Sequence, residues 1–192
     1  MRLSKQVSAS PFIPRTPLGA SARALGVDRA GASDSHPRVP TPLVQLERSH
    51  RRLEEACEAL SIAARDHDIE TASDVCAFFA RQVRRHEEDE ERSLFPRLVD
   101  AGASPELRAL LERLAREHRE HEAVHARLEE AVSGRFEGDL WQELTAIAEL
   151  MTRAYQAHVA REEAHVFPAA EALLGSDAID AIAREMDARR GR

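Results

Sequence analysis

Two stretches of the chain share one skeleton. His86-Glu-Glu-Asp-Glu-Glu-Arg-Ser-Leu-Phe-Pro96 and His158-Val-Ala-Arg-Glu-Glu-Ala-His-Val-Phe-Pro168 both read His-x-x-x-Glu and then, five residues after that Glu, Phe-Pro. A spacing of four sets imidazole and carboxylate on one helical face, one turn apart. A single exposed pair of this kind is usually a solvated helix face. Here two copies alternate with lone histidines, His50 before the first and His118 before the second.

The turns constrain the fold further. In a helical hairpin, residues equidistant from the turn face each other. The midpoint of His50 and His86 is position 68, that of His86 and His118 is 102, and that of His118 and His158 is 138. Each falls on a turn signal: the Asp66–Glu70 stretch, Gly102 and Gly138. Three separate turns therefore bring four histidines to one level of a bundle.

The helical patterns agree. Leu43, Leu46, His50, Leu53, Cys57 and Leu60 form a seam in steps of three and four. A second helix from about Ala72 to Asp100 turns Val75, Phe79, Val83, His86, Glu90 and Leu94 inward, and Pro96 bends its last turns. Ser104-Pro105 opens a third, with Leu107, Leu111, Leu114, His118, His121, His125, Leu128 and Val132 on one stripe. A fourth starts near Asp139, carries Leu144, Ile147, Met151, Tyr155, His158 and Glu162, and is capped by Gly175. Ser176 to Arg190 form a short terminal helix. Short loops make neighbouring helices antiparallel. The expected fold is all-α: an up-down-up-down four-helix bundle with a short C-terminal helix.

Composition adds an organisation. Residues 1–40 carry six Lys/Arg against two Asp/Glu, lack periodicity and read as a disordered arm. Residues 41–175 form the bundle, and residues 176–192 the terminal helix and tail. The body carries 21 basic against 32 acidic residues, which gives nucleic acid no electrostatic footprint. No apolar run approaches a membrane span, and Pro11, Pro14 and Pro17 interrupt any signal-peptide core. The expected setting is cytoplasmic. Cys57 and Cys76 cannot make a disulfide framework and read as two buried thiols on adjacent helices.

Four buried imidazoles and two carboxylates at one level would cost about 1–3 kcal/mol per unpaired group without a cation. Clustered imidazole and carboxylate suit iron or manganese. Glu90 and Glu162 can bridge two ions, with His50 and His86 on one and His118 and His158 on the other. Six protein ligands for two ions leave positions for solvent or a small ligand. His121 is a candidate fifth imidazole. Glu122, His125 and His165 are weaker candidates, and Tyr155 can hydrogen-bond a ligand or pack. Glu87, Glu91 and Glu163 neighbour the pairs and read as solvated or supporting. Trp141 reads as an anchor at the bundle end, and nothing recommends His36 or His67.

Residues 42–174 resemble the hemerythrin-like HHE cation-binding family. The resemblance rests on Leu46-Glu-Arg-Ser-His50, His86-x-x-x-Glu90 with Leu94-Phe-Pro96, Leu114-Ala-Arg-Glu-His118, and His158-x-x-x-Glu162 with Val166-Phe-Pro168. It implies a four-helix bundle around a non-haem di-iron centre with two carboxylate bridges. O₂-carrying members usually place a second histidine one turn before the position of His118; here that residue is Leu114. The resemblance implies a protein that binds or senses O₂, nitric oxide or iron. The rivals are a small di-iron enzyme reducing peroxide or nitric oxide, and a structural bundle without metal.

Overall fold

The computed structural model describes residues 41–192. The arm expected over residues 1–40, with His36, lies outside the described residues. Four helical rods and a fifth helix make up the rest. The first rod is α1 (Pro42–Asp66). The second runs through α2 (Ile69–Phe78), α3 (Arg84–Asp89) and α4 (Phe95–Asp100), joined by π-helical turns at Phe79–Val83 and Glu90–Leu94. The third is α5 (Pro105–Val132), and the fourth is α6 (Leu140–Arg161) followed by a π-turn at Glu162–Val166 and α7 (Phe167–Leu173). The fifth helix is α8 (Ser176–Arg189).

Each rod starts on a side-chain cap, which satisfies amide groups that the helix itself leaves free. Thr41, Asp68, Ser104 and Asp139 accept from the backbone N–H of Val44, Thr71, Leu107 and, for Asp139, both Trp141 and Gln142. Asp68 starts the second rod at Ile69, three residues before the expected Ala72. Gly102, at φ 93°, makes the turn between the second and third rods without a Cβ penalty. Gly175 does not cap the fourth rod, which stops at Leu173. Its carbonyl instead accepts from Ala178 and Ile179 at the start of α8.

The prolines act differently from the expected bend. A proline lacks an N–H and its ring crowds the carbonyl four residues back. Both Phe-Pro steps relieve this by widening the preceding turn: Phe95 N–H bonds Glu90 C=O and Phe167 N–H bonds Glu162 C=O, five residues back in each case. The extra residue advances the helical phase. Glu90, Leu94 and Phe95 on one rod, and Glu162, Val166 and Phe167 on the other, are all buried.

Neighbouring rods pack in a ring, the first against the second and fourth, the third against the second and fourth. The interior has two apolar clusters. One holds Leu53, Leu60, Phe79, Leu128, Leu144, Ile147 and Met151. The other holds Leu46, Leu94, Leu98, Leu111, Leu114 and Val166, closed by Ile182 and Met186 from α8. Between them along every rod lies a polar residue: His50, His86, His118 and His158.

The fifth helix is fastened by charge as well as by apolar contact. Asp89 is fully buried and accepts from Arg189 Nε at 2.6 Å and Arg190 Nη2 at 2.5 Å. Arg189 also donates to Ser93, and Ser93 donates to Glu185, which Arg97 grips with two further bonds. Asp89 precedes the bonded Glu90 turn, so α8 braces the segment that carries that carboxylate.

Candidate metal centre

Glu90 and Glu162 sit at the centre of the polar layer, both with no exposed surface. Each directs its two oxygens at different histidine pairs. Glu90 Oε1 lies 3.1 Å from His86 Nε2, and its Oε2 lies 3.5 Å from His118 Nε2. Glu162 Oε2 lies 3.1 Å from His50 Nε2, and its Oε1 lies 3.2 Å from His158 Nε2. Two groups of potential ligand atoms result, each within 4.8 Å: His50, His86, Glu90 and Glu162, and Glu90, His118, His158 and Glu162. The two carboxylates are common to both groups. The four histidines that the turn midpoints bring to one level thus lie together with the two carboxylates.

A cation suits the set. All four carboxylate oxygens, with His50 Nε2 and His86 Nδ1, are buried without a hydrogen-bond partner. Protein interiors rarely leave such groups unmatched. Burial and the neighbouring Glu162 hold the Glu90 carboxyl well above its usual range. Burial acts on Glu162 in the same sense, but His158 and His50 reverse it and bring it well below that range. Two carboxylates in one dry layer cannot both stay ionised unless positive charge joins them. Burial, and then His50, push His86 down to about 3, so it is a neutral imidazole with a free lone pair.

The histidines are oriented from behind. His50 Nδ1 pairs with Glu163 at 3.0 Å and His118 Nδ1 with Glu91 at 2.7 Å. His158 Nδ1 pairs with Glu117 at 2.9 Å, and Glu117 is held by Arg113 and Arg161. An N–H donated from Nδ1 leaves the Nε2 lone pair facing the centre. The Phe-Pro rings complete the packing: Phe167 stacks on His50 with centroids 5.3 Å apart, and Phe95 on His118 at 6.3 Å. Burial lowers His118, with His158 adding to the effect. Burial opposes the rise in His50 and His158, but Glu162 with Glu163, and Glu162 with Glu117, outweigh it.

Sequence reasoning took Glu91 and Glu163 as solvated or supporting, without naming which histidine each would hold, and did not weigh Glu117. The repeat itself held the missed signal: a second Glu follows the first in both motifs, and each second Glu holds a lone histidine. The other candidates fall outside the two groups. His121 is buried beside Tyr155 and His158, with Glu87 the nearest carboxylate at 3.9 Å. Glu87 is buried too, and desolvation pushes it up to about 8. His125 Nε2 pairs with the Tyr155 hydroxyl at 2.7 Å. Glu122 and His165 are exposed. His67 is exposed and stacks on Trp141. Leu114 belongs wholly to the second apolar cluster, so no imidazole stands one turn before His118.

Among the described residues no helix is long and apolar enough to cross a membrane. No curated protein and no solved structure matches the chain. The family model for the hemerythrin HHE cation-binding domain matches residues 41–170 and again 110–190. The helical bundle, its inward His-x-x-x-Glu pairs and this match agree: the chain belongs to the hemerythrin HHE cation-binding domain family.

Proposed function

We propose that the centre holds two iron ions, bridged by Glu90 and Glu162, with His50 and His86 on one and His118 and His158 on the other, and that it binds a small ligand such as O₂, nitric oxide or peroxide. The observation that carries this reading is the split of each buried carboxylate, one oxygen toward each histidine pair. Histidine and carboxylate together favour iron or manganese over thiolate-selecting metals, and iron is the typical metal of the family. Iron held this way supplies redox-active Lewis acidity with coordination positions free for a small ligand.

The chain's own part is orientation and exclusion. Glu91, Glu117 and Glu163 pair with the outer Nδ1 atoms, which holds the three rings with Nε2 aimed inward. Phe95 and Phe167 cover His118 and His50, and the two apolar clusters keep bulk water from both ends of the layer. Free thiols at Cys57 and Cys76 suit the cytoplasmic setting that the reading includes. The test is iron quantitation on anaerobically purified protein, with optical spectra before and after O₂, nitric oxide and peroxide. Two irons per chain and a new near-ultraviolet charge-transfer band on oxidation support the reading. One ion or none refutes it. Catalytic loss of added peroxide or nitric oxide would make the protein an enzyme.

A further inference from the structure

Behind the four inward histidines the bundle is uneven. Glu163, Glu91 and Glu117 hold the outer nitrogens of His50, His118 and His158. His86 has no such partner. It is 4% exposed, and its Nδ1 is buried with nothing to bond.

The reason lies one residue before each lone histidine. Glu117 precedes His118 and reaches His158 on the next rod. The residue before His50 is Ser49, which is too short to do the same for His86. Its hydroxyl turns back to the Gln45 carbonyl at 3.2 Å. The space that a carboxylate would fill is a cavity of about 20 Å³ lined by Ser49, Arg52, Gln82 and His86 together with apolar side chains. That volume suits one water, with the Ser49 and Gln82 side chains available to bind it. Gln82 is exposed, so the cavity lies near the surface of the bundle.

We propose that the two cation positions are unequal: the one at His118 and His158 retains its ion, and the one at His50 and His86 exchanges it. The inference rests on the two-ion reading above. A carboxylate behind a ligating imidazole fixes the ring and strengthens its donor nitrogen, and losing such a partner typically weakens metal binding by about 10–100-fold. His158 has that support, reinforced by Arg113 and Arg161 through Glu117. His86 has only this small cavity in its place, so its ring turns away from an ion more readily. Ser49 and Glu117 are positioning residues of opposite effect. They set the difference between two positions whose direct ligands are alike.

The test uses the full chain loaded anaerobically with ferrous iron and challenged with a ferrous chelator. The readout is chelate absorbance against time. Two phases of one ion each are expected, separated by roughly 10-fold or more in rate. Ser49→Glu should slow the fast phase toward the slow one, and Glu117→Gln should accelerate the slow phase alone. If the longer side chain disrupts folding, as helical circular dichroism would reveal, Ser49→Asp takes its place. Release of both ions at one rate overturns the inequality and leaves the two-ion reading standing. So does an effect of Ser49→Glu on the slow phase only. A chain that takes up fewer than two ions refutes the two-ion reading, and this inference with it.

Discussion

Replacing Glu90 by leucine should stabilise the metal-free bundle and destroy its response to iron. Glu90 has no exposed surface, neither of its oxygens has a hydrogen-bond partner, and burial with Glu162 alongside pushes its carboxyl well above the usual range. A buried group left unmatched costs about 1–3 kcal/mol, and apolar residues of similar volume often match or exceed buried polar sets in stability. Part of the gain is offset because His86 Nε2 loses its neighbour at 3.1 Å. A net gain of about 1 kcal/mol remains, which for a domain of this size raises Tm by about 2–4 °C. Iron should reverse the ranking. The native chain gains about 2.7 kcal/mol per site at a hundredfold excess over Kd. The variant has lost one oxygen from each position and should gain little. Thermal unfolding of chelator-treated and iron-loaded protein, followed by circular dichroism, measures both signs. A metal-free Glu90→Leu protein that melts below the native one would refute the reasoning, because the carboxylate would then hold the bundle together by itself.

Other expectations follow from the supporting groups. Glu91→Gln and Glu163→Gln should each lower iron affinity by about 10-fold, the low end for such partners because both side chains are partly exposed; equilibrium competition with a chelator measures it, and unchanged affinity would remove them from the site. Alanine at both Arg189 and Arg190 leaves the Asp89 carboxylate buried and unpaired, at a cost of about 3–5 kcal/mol in urea unfolding, and adding Asp89→Asn should recover most of it. Burial pushes His125 down to about 4 from 6.5, so its contribution to metal-free stability is lost as pH falls from 6.5 toward 4. His125→Gln should flatten that acid limb in a Tm series. Glu87, pushed up to about 8 from 4.5, has the opposite sign: its contribution is complete below 4.5 and fades as pH rises to 8. Glu87→Gln should flatten the decline on that side.

The layer was legible because two independent patterns converged on it. The seam periodicity put His50, His86, His118 and His158 inward, and the turn midpoints put them level. The helix starts at Ser104 and near Asp139 were equally plain. What stayed hidden depended on departures from a regular helix or on distant pairing. The widened turns before Pro96 and Pro168 change the helical phase, so a straight 3.6-residue repeat does not place Phe95 or Phe167 against a histidine. Glu117 carried no local signal on α5, because its partner His158 is 41 positions away. The tie from Asp89 to Arg189 spans 100 positions and follows no local rule.

The cross-bracing of the motifs also gives the bundle an internal symmetry. The chain divides at Gly102 into two hairpins, each with one lone histidine, one His-x-x-x-Glu pair and one Glu and Phe that hold a histidine. Yet Glu91 and Phe95 of the first hairpin hold His118 of the second, and Glu163 and Phe167 of the second hold His50 of the first. This reciprocal exchange is the pattern of an isologous dimer, in which residue i of one copy meets residue j of the other and the reverse. The two hairpins are therefore related as the halves of such a dimer are, and neither contains the supports for its own lone histidine. That relation fails behind His86, where Ser49 stands at the place that Glu117 takes behind His158.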